Sequence, residues 1–351
     1  MRTLLLLCFC FGYTLVVAAQ NLPRIIVLST GGTIAGQQPD KDKAGYIAAK
    51  VPIDELLKNI PSIKQKATVT GEQIAAIGSY DMTVAIWLKL AKRINTIFAN
   101  NEADGIVITH GTDTQEETAY FLSLTVPSDK PLVLTGSMRP ATAISGDGSK
   151  NLYDAIITAS DVNSKGRGVL LCFNEAIYEA RNVVKVHTTN VNAFAAPNAG
   201  AIGTVYDGKV IYNTPAATKP VGFKTFDISK MDTLPPVEII YAYAGATNVA
   251  INALINQNTS GIIIAGTGNG SFNHEILESV KTAVNKNIIV VRSSRVVAGK
   301  VTTQYVGTFD DAKLGTITSQ QLNPQKARIL LMLALTVTKD KNKIQEMFFT
   351  Y

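Results

Sequence analysis

Short apolar runs recur along the chain, each closed by glycine or a turn signal. They occupy residues 25–28, 106–108, 132–134, 169–171, 239–241, 262–264 and 288–291. Runs that are apolar at consecutive positions predict strands buried on both faces, as in a parallel sheet. Between them lie helical patterns. Ile86, Leu90, Ile94 and Ile97 fall at spacings of four, four and three, one face of a helix. Asn323-Pro324 ahead of Ala327-Arg328-Ile329-Leu330-Leu331 reads as an N-cap with proline in the first turn. Strand–helix alternation predicts an α/β fold with right-handed crossovers.

The rhythm breaks at residues 214–236, which hold Pro215, Pro220, Pro235 and Pro236 and no long periodic segment. This stretch is expected to be a linker. A length of 351 residues fits about two domains. The expected organisation is a larger N-terminal α/β domain with a mostly parallel sheet, residues 20–213, and a smaller C-terminal α/β domain, residues 237–351.

The first nineteen residues read as a separate object. Arg2 is followed by an apolar stretch over residues 4–17, then Val17-Ala18-Ala19-Gln20. A positive start, an apolar middle and small residues before a cut are the parts of a secretory signal peptide, with cleavage expected after Ala19. An uncleaved anchor needs ~20 apolar residues. A lipoprotein at Cys8 is a weaker alternative, because the apolar run before it is very short. No later segment is apolar enough to span a bilayer, so no membrane partner is expected after cleavage.

Composition narrows the field. The hydrophobic fraction is 46%, which argues against extended disorder. Net charge is +6, but the 33 basic residues form no run, which disfavours a nucleic-acid partner. Of three cysteines, Cys8 and Cys10 lie in the leader. Cys172, alone in the mature chain, can form no intrachain disulfide and is expected to be a small buried hydrophobe.

Two threonine turns carry the candidate chemistry. Thr30-Gly31-Gly32-Thr33-Ile34-Ala35-Gly36 follows the first strand, and Thr109-His110-Gly111-Thr112-Asp113-Thr114 follows another. Ligands in open α/β sheets bind beyond the carboxyl ends of strands. Gly31 and Gly32 would let the backbone approach a ligand closely. Thr114 and Glu117 have capping-box spacing for a helix over residues 115–124. Thr112 and Asp113 would then sit at a helix entrance, where an anion is favoured, although Asp113 could instead bind a substrate ammonium. A threonine hydroxyl becomes a nucleophile only when a base takes its proton. Other chemistries find little support. His110, His187 and His274 have no metal-site spacing, so no metal is expected. There is no G-x-S-x-G elbow and no P-loop, and Gly266-Thr267-Gly268-Asn269-Gly270 lacks dinucleotide spacing, so no cofactor is expected.

The two motifs together resemble the bacterial type II (periplasmic) L-asparaginases and glutaminase-asparaginases. Gly71-Glu72-Gln73, Gly136-Ser137-Met138-Arg139-Pro140, Arg292-Ser293-Ser294-Arg295 and Asn323-Pro324-Gln325-Lys326-Ala327-Arg328 extend the likeness over essentially the whole mature chain. The resemblance implies hydrolysis of L-asparagine, with some L-glutaminase activity, through a threonine acyl-enzyme. It implies that Thr33 is the nucleophile and Thr112 the second catalytic threonine, with Lys185 beside it. Tyr46, in the polar loop 37–49, would be a lid tyrosine meeting the nucleophile. Ser79 would bind the substrate α-carboxylate and Asp113 its α-ammonium. It also implies that the destination is the periplasm, and a homotetramer in which the C-terminal domain of one subunit closes the site of another. Free phenol and lysine have pKa ~10 and ~10.4, so neither is a ready base at neutral pH. A lysine desolvated near Thr112 would have a lowered pKa and could serve.

Departures from the family pattern bear on specificity. Tyr80 stands where Gln or Glu usually contacts the substrate amino end. Ser271 stands where some members have Asn, and its shortness leaves room for glutamine. Residues 304–309 show no acid to match the glutamate a neighbouring subunit contributes in many members, and the family's disulfide is missing. A glutaminase-leading enzyme is therefore one alternative. The rival from another class is a periplasmic amino-acid binding protein, which has no need of two threonine turns plus Lys185.

Overall fold

A computed structural model describes residues 22–38, 45, 47–216, 223–303 and 309–351. The leader segment, residues 1–19, lies outside the described residues. So do residues 304–308, most of the segment singled out above. Among the described residues no helix is long and apolar enough to cross a membrane.

The first sheet is built from β1 (Arg24–Gly31), β2 (Thr68–Ile77), β3 (Gly105–Thr109), β4 (Leu132–Thr135), β5 (Val169–Phe173) and β6 (Ala176–Glu179). Two further pairs follow: β7 (Val184–Lys185) with β8 (Phe194–Ala195), and β9 (Gly203–Tyr206) with β10 (Lys209–Tyr212). The eight-stranded order is β10-β9-β6-β5-β4-β3-β1-β2. From β2 to β5 every pairing is parallel, and β6, β9 and β10 continue antiparallel. A second sheet, β11 (Val237–Tyr241), β12 (Gly261–Gly266), β13 (Ile289–Ser294) and β14 (Ile317–Thr318), is wholly parallel. The architecture is therefore a larger N-terminal α/β unit and a smaller C-terminal one, as the alternation predicted.

Helices α1 (Ile53–Lys58), α2 (Val84–Ala99), α3 (Gln115–Thr125) and α4 (Gly148–Ser160) serve the first sheet. Then come α5 (Val249–Asn256), α6 (His274–Asn285), α7 (Asp311–Leu314), α8 (Pro324–Ala334) and α9 (Lys341–Thr350). The α2 stripe behaves as its spacing requires: Leu90, Ile94 and Ile97 are fully buried, and the Thr83 hydroxyl caps the helix by accepting from Ile86 N–H. At α8, the Asn323 side chain accepts from Lys326 N–H at 3.0 Å, with Pro324 in the first turn.

All seven apolar runs fall in strands, except that Ile288 lies just ahead of β13. β2 carries no apolar run to announce it, because it is an edge strand; of its ten residues only Ile74 is buried. The sequence reading missed β6, β9 and β10, short antiparallel strands with no continuous apolar run.

One continuous apolar core decides how the two sheets sit together. It runs from α2 and α3 on the first sheet through Leu330, Leu331 and Leu333 of α8 to Ile263 and Val291 of the second sheet. Phe226, Ile228 and Leu234, from the proline-punctuated stretch, are buried in the same core. Helix α8 thus lies between the sheets, against α3.

Candidate active site

Chain order sends β1 to β2 on one side and then to β3 on the other. This is a topological switch point, where the carboxyl ends of parallel strands leave a crevice. Ser29 of β1 is level with Thr109 of β3, so the two threonine turns emerge side by side. The Thr30 hydroxyl donates to the Thr109 carbonyl at 3.0 Å and ties them together.

Protein backbone by itself already requires glycine at positions 31 and 32. Gly32 has φ +78°, and a Cβ there would lie 2.4 Å from the backbone of Gly111. A Cβ on Gly31 would lie 2.5 Å from the Ile77 carbonyl oxygen. The turns after β1, β2 and β3 therefore interlock, and Thr33 opens a single 3-10 turn in the resulting crevice.

Ser79 follows β2 and joins the same cluster. Its Oγ accepts from Asp113 N–H at 3.2 Å, and its carbonyl accepts from the Thr114 hydroxyl at 2.7 Å. That second bond overturns the capping box: Thr114 sits at the N-cap of α3 but makes no side-chain cap, because its hydroxyl is spent on Ser79. Glu117 is instead half-buried, and burial, with Glu116 nearby, pushes its carboxyl up to about 7.

Lys185 approaches from β7. Its Nζ donates to Thr112 Oγ1 at 2.9 Å and to Asp113 Oδ1 at 2.7 Å. The Lys185 side chain is 16% exposed and that of Asp113 58%, so the carboxylate remains open to a ligand while the lysine stays enclosed. Thr33, Ser79, Tyr80, Thr112, Asp113 and Lys185 all line one cavity of about 470 Å³. Thr33, Ser79 and Thr112 are buried, whereas Tyr80 is 73% exposed at the rim. Its ring lies back over Gly78, in the space a side chain there would fill.

One expected site residue is not brought in. Ser271 lies in a tight turn at the end of β12, bridged to Thr267, and does not line this cavity in its own chain. Tyr46 lies outside the described residues. Conversely, Gln38, Thr188 and Thr189 line the cavity without having been singled out. Thr188 and Thr189 follow Lys185 closely, which is the only sequence signal they carry.

A buried histidine adjoins the cavity-lining Gly111. His110 is fully buried. The Trp87 indole N–H donates to Thr118 Oγ1 at 2.8 Å, which leaves the Thr118 hydroxyl to donate to His110 Nε2 at 2.9 Å. His110 Nδ1 then carries the proton and donates to the Gly111 carbonyl at 2.7 Å. Burial lowers this imidazole to about 4, against the raising effect of that carbonyl bond. Cys172 is fully buried in β5, and burial pushes its thiol up to about 12, consistent with a packing role.

Fold and site together define a two-sheet α/β protein with a threonine–lysine–aspartate cluster at the switch point of its larger sheet. Comparison with known proteins gives the family. The Asparaginase, N-terminal family model matches residues 24–218, and the Glutaminase/Asparaginase C-terminal domain model matches residues 236–348. The chain belongs to the asparaginase family. It is 47% identical to L-asparaginase 2 of Escherichia coli over 334 residues, covering 95% of each chain. It is 48% identical over 347 residues to a probable periplasmic L-asparaginase of Haemophilus influenzae, covering 99% of this chain and 98% of the relative. The crystal structure of a probable cytoplasmic L-asparaginase from Campylobacter jejuni superposes with a TM-score of 0.89 at 48% identity, covering 94% of this chain and all of that one.

Proposed function

We propose that the protein hydrolyses the side-chain amide of L-asparagine to L-aspartate and ammonia, with L-glutamine as a second substrate. Thr33 Oγ1 attacks the amide carbon and the C–N bond breaks. The nitrogen takes a proton and leaves as ammonia, and an acyl ester remains on Thr33. Water then attacks that ester, giving the carboxylic acid and restoring the hydroxyl. Asp113 pairs with the substrate ammonium, Ser79 with its carboxylate, and Thr112, Lys185 and Tyr46 pass protons. The observation that carries this reading is the Lys185 Nζ contact to both Thr112 and Asp113 in the cavity that Thr33 lines. An arriving ammonium displaces Lys185 from the Asp113 carboxylate and leaves Nζ to work with Thr112. A binding protein has no use for that arrangement.

The reading extends to assembly and location. Ser271, which stands outside the cavity of its own chain, acts in the site of a neighbouring copy in a homotetramer, the assembly that the family resemblance implies. Residues 214–236 connect the two domains. Residues 1–19 direct the chain to the periplasm and are then removed, in keeping with the leader pattern and with the Haemophilus relative named as periplasmic. An N-terminus at Gln20 in the periplasmic fraction and a tetrameric mass are the expected results.

Ammonia release from L-asparagine and L-glutamine, measured side by side, tests the activity. Substantial turnover of asparagine is expected. A preference of a hundredfold or more, about 3 kcal/mol in the transition state, means the pocket rejects the extra methylene. A ratio within about tenfold marks a glutaminase-asparaginase. Binding of either amino acid without ammonia overturns the proposal.

A further inference from the structure

Thr33, Ser79, Thr112 and Asp113 come from the turns after β1, β2 and β3, which lock one another in place. Lys185 does not. It lies on a two-residue strand whose ladder partner is β8, outside the large sheet. Its backbone N–H donates to Glu116 Oε2 at 2.5 Å, a buried carboxylate in the first turn of α3. The other oxygen, Glu116 Oε1, accepts from Asn323 Nδ2 at 2.8 Å. Asn323 is also the N-cap of α8, where its Oδ1 accepts from Lys326 N–H. Lys326, almost fully buried, turns its ammonium back onto the same segment, donating to the carbonyls of Arg181, at 3.0 Å, and Val183. Three backbone atoms between residues 181 and 185 are thus held by the N-terminal end of α8, two directly and one through Glu116.

Burying an ammonium and a carboxylate is costly unless every polar atom is matched. Here the matching partners converge on the backbone that carries Lys185. Displacement of a catalytic group by about 1 Å can cost about 10²-fold in rate. We propose that Glu116 and Asn323 are positioning residues for the hydrolysis, transmitting the docking of the C-terminal domain into the placement of Lys185 Nζ against Thr112. This rests on the reading of Lys185 as a proton carrier given above.

The test is steady-state kinetics of the purified full-length variants on L-asparagine. Glu116→Ala removes the acceptor for Lys185 N–H, and kcat should fall about tenfold or more with KM changed less than about threefold. Glu116→Gln keeps an acceptor for that N–H and should recover to within about fivefold of wild type. Asn323→Ser keeps a cap for α8 but loses the donor to Glu116, and should lower kcat about three- to tenfold, with Tm lowered by the unmatched Glu116 oxygen but the protein still folded. This second variant carries the test if Glu116→Ala does not fold. Values of kcat within twofold of wild type for the folded Ala and Ser variants overturn the inference, as does a loss confined to KM. Lys185→Met separates the two levels. If it is inactive while both clamp variants are unaltered, only the clamp is wrong. If it turns over like wild type, the proton-carrier reading fails and the clamp with it.

Discussion

The Lys185 ammonium nitrogen stands 2.9 Å from the Thr112 hydroxyl, across 73 residues of sequence. That contact joins two structurally separate parts of the larger domain. Thr112 belongs to the turn after a central strand, while Lys185 arrives on a small excursion outside the sheet. The same nitrogen lies 2.7 Å from the carboxylate of Asp113.

Lys185→Met keeps the aliphatic stem and removes the proton-carrying group. Loss of a positioned acid–base group costs about 10²- to 10⁴-fold. The loss should appear in kcat for L-asparagine. Asp113→Ala should act differently, raising KM about tenfold or more, because the proposed partner for the substrate ammonium is gone. Equal effects of the two substitutions on KM alone would contradict the division of roles.

Gly32→Ala should be severe. The added methyl meets Gly111 backbone at 2.4 Å on a residue with φ +78°. Neither neighbour is a flexible side chain that can swing away. Strain and displacement together should cost about 2–4 kcal/mol, read as a lower urea midpoint with ammonia release largely abolished. A midpoint and activity near wild type would show that the two turns do not depend on each other.

His110 should make the fold sensitive to acid. Its native imidazole titrates at about 4 against an ordinary 6.5. The unfolded chain therefore binds this proton first, so the contribution is present above pH ~6.5 and lost as pH falls toward 4, by at most about 3 kcal/mol. Urea unfolding of His110→Gln should show a shallower fall over that window than wild type. Parallel curves would contradict the assignment.

Glu117 works in the opposite direction. Its native carboxyl titrates near 7, above the ordinary 4.5. The neutral form is favoured in the fold, so the contribution is complete below pH ~4.5 and lost as pH rises through 7, by at most about 3 kcal/mol. Glu117→Gln should therefore exceed wild type in stability at pH 8 and lose that advantage by pH 4–5. A pH-independent difference would rule out burial of the charge as the cause.

Much of this was legible in the chain, for identifiable reasons. Parallel strands buried on both faces write themselves as continuous apolar runs, as 106–108 and 262–264 do, each closed by a turn signal. Edge strands do not: β2 begins Thr-Val-Thr-Gly-Glu-Gln and fully buries only Ile74, so its place beside β1 followed only from the pairing. Thr33 and Thr112 were legible because glycines mark their turns. Glu116 was not, because an acid in a helix's first turn looks like a charge placed for the helix dipole; its contacts to Lys185 and Asn323 exist only in three dimensions. Asn323 was seen as a cap, which it is, but its second bond to Glu116 crosses 207 residues and leaves no local trace.

The most direct test of the account is Thr33→Ala, assayed for ammonia release from L-asparagine and for binding of L-asparagine. The account predicts turnover reduced at least about 10³-fold with affinity retained within about tenfold, since the nucleophile goes and the groups that hold the substrate ends remain. Ammonia release at the wild-type rate from this variant would contradict a threonine acyl-enzyme at that position.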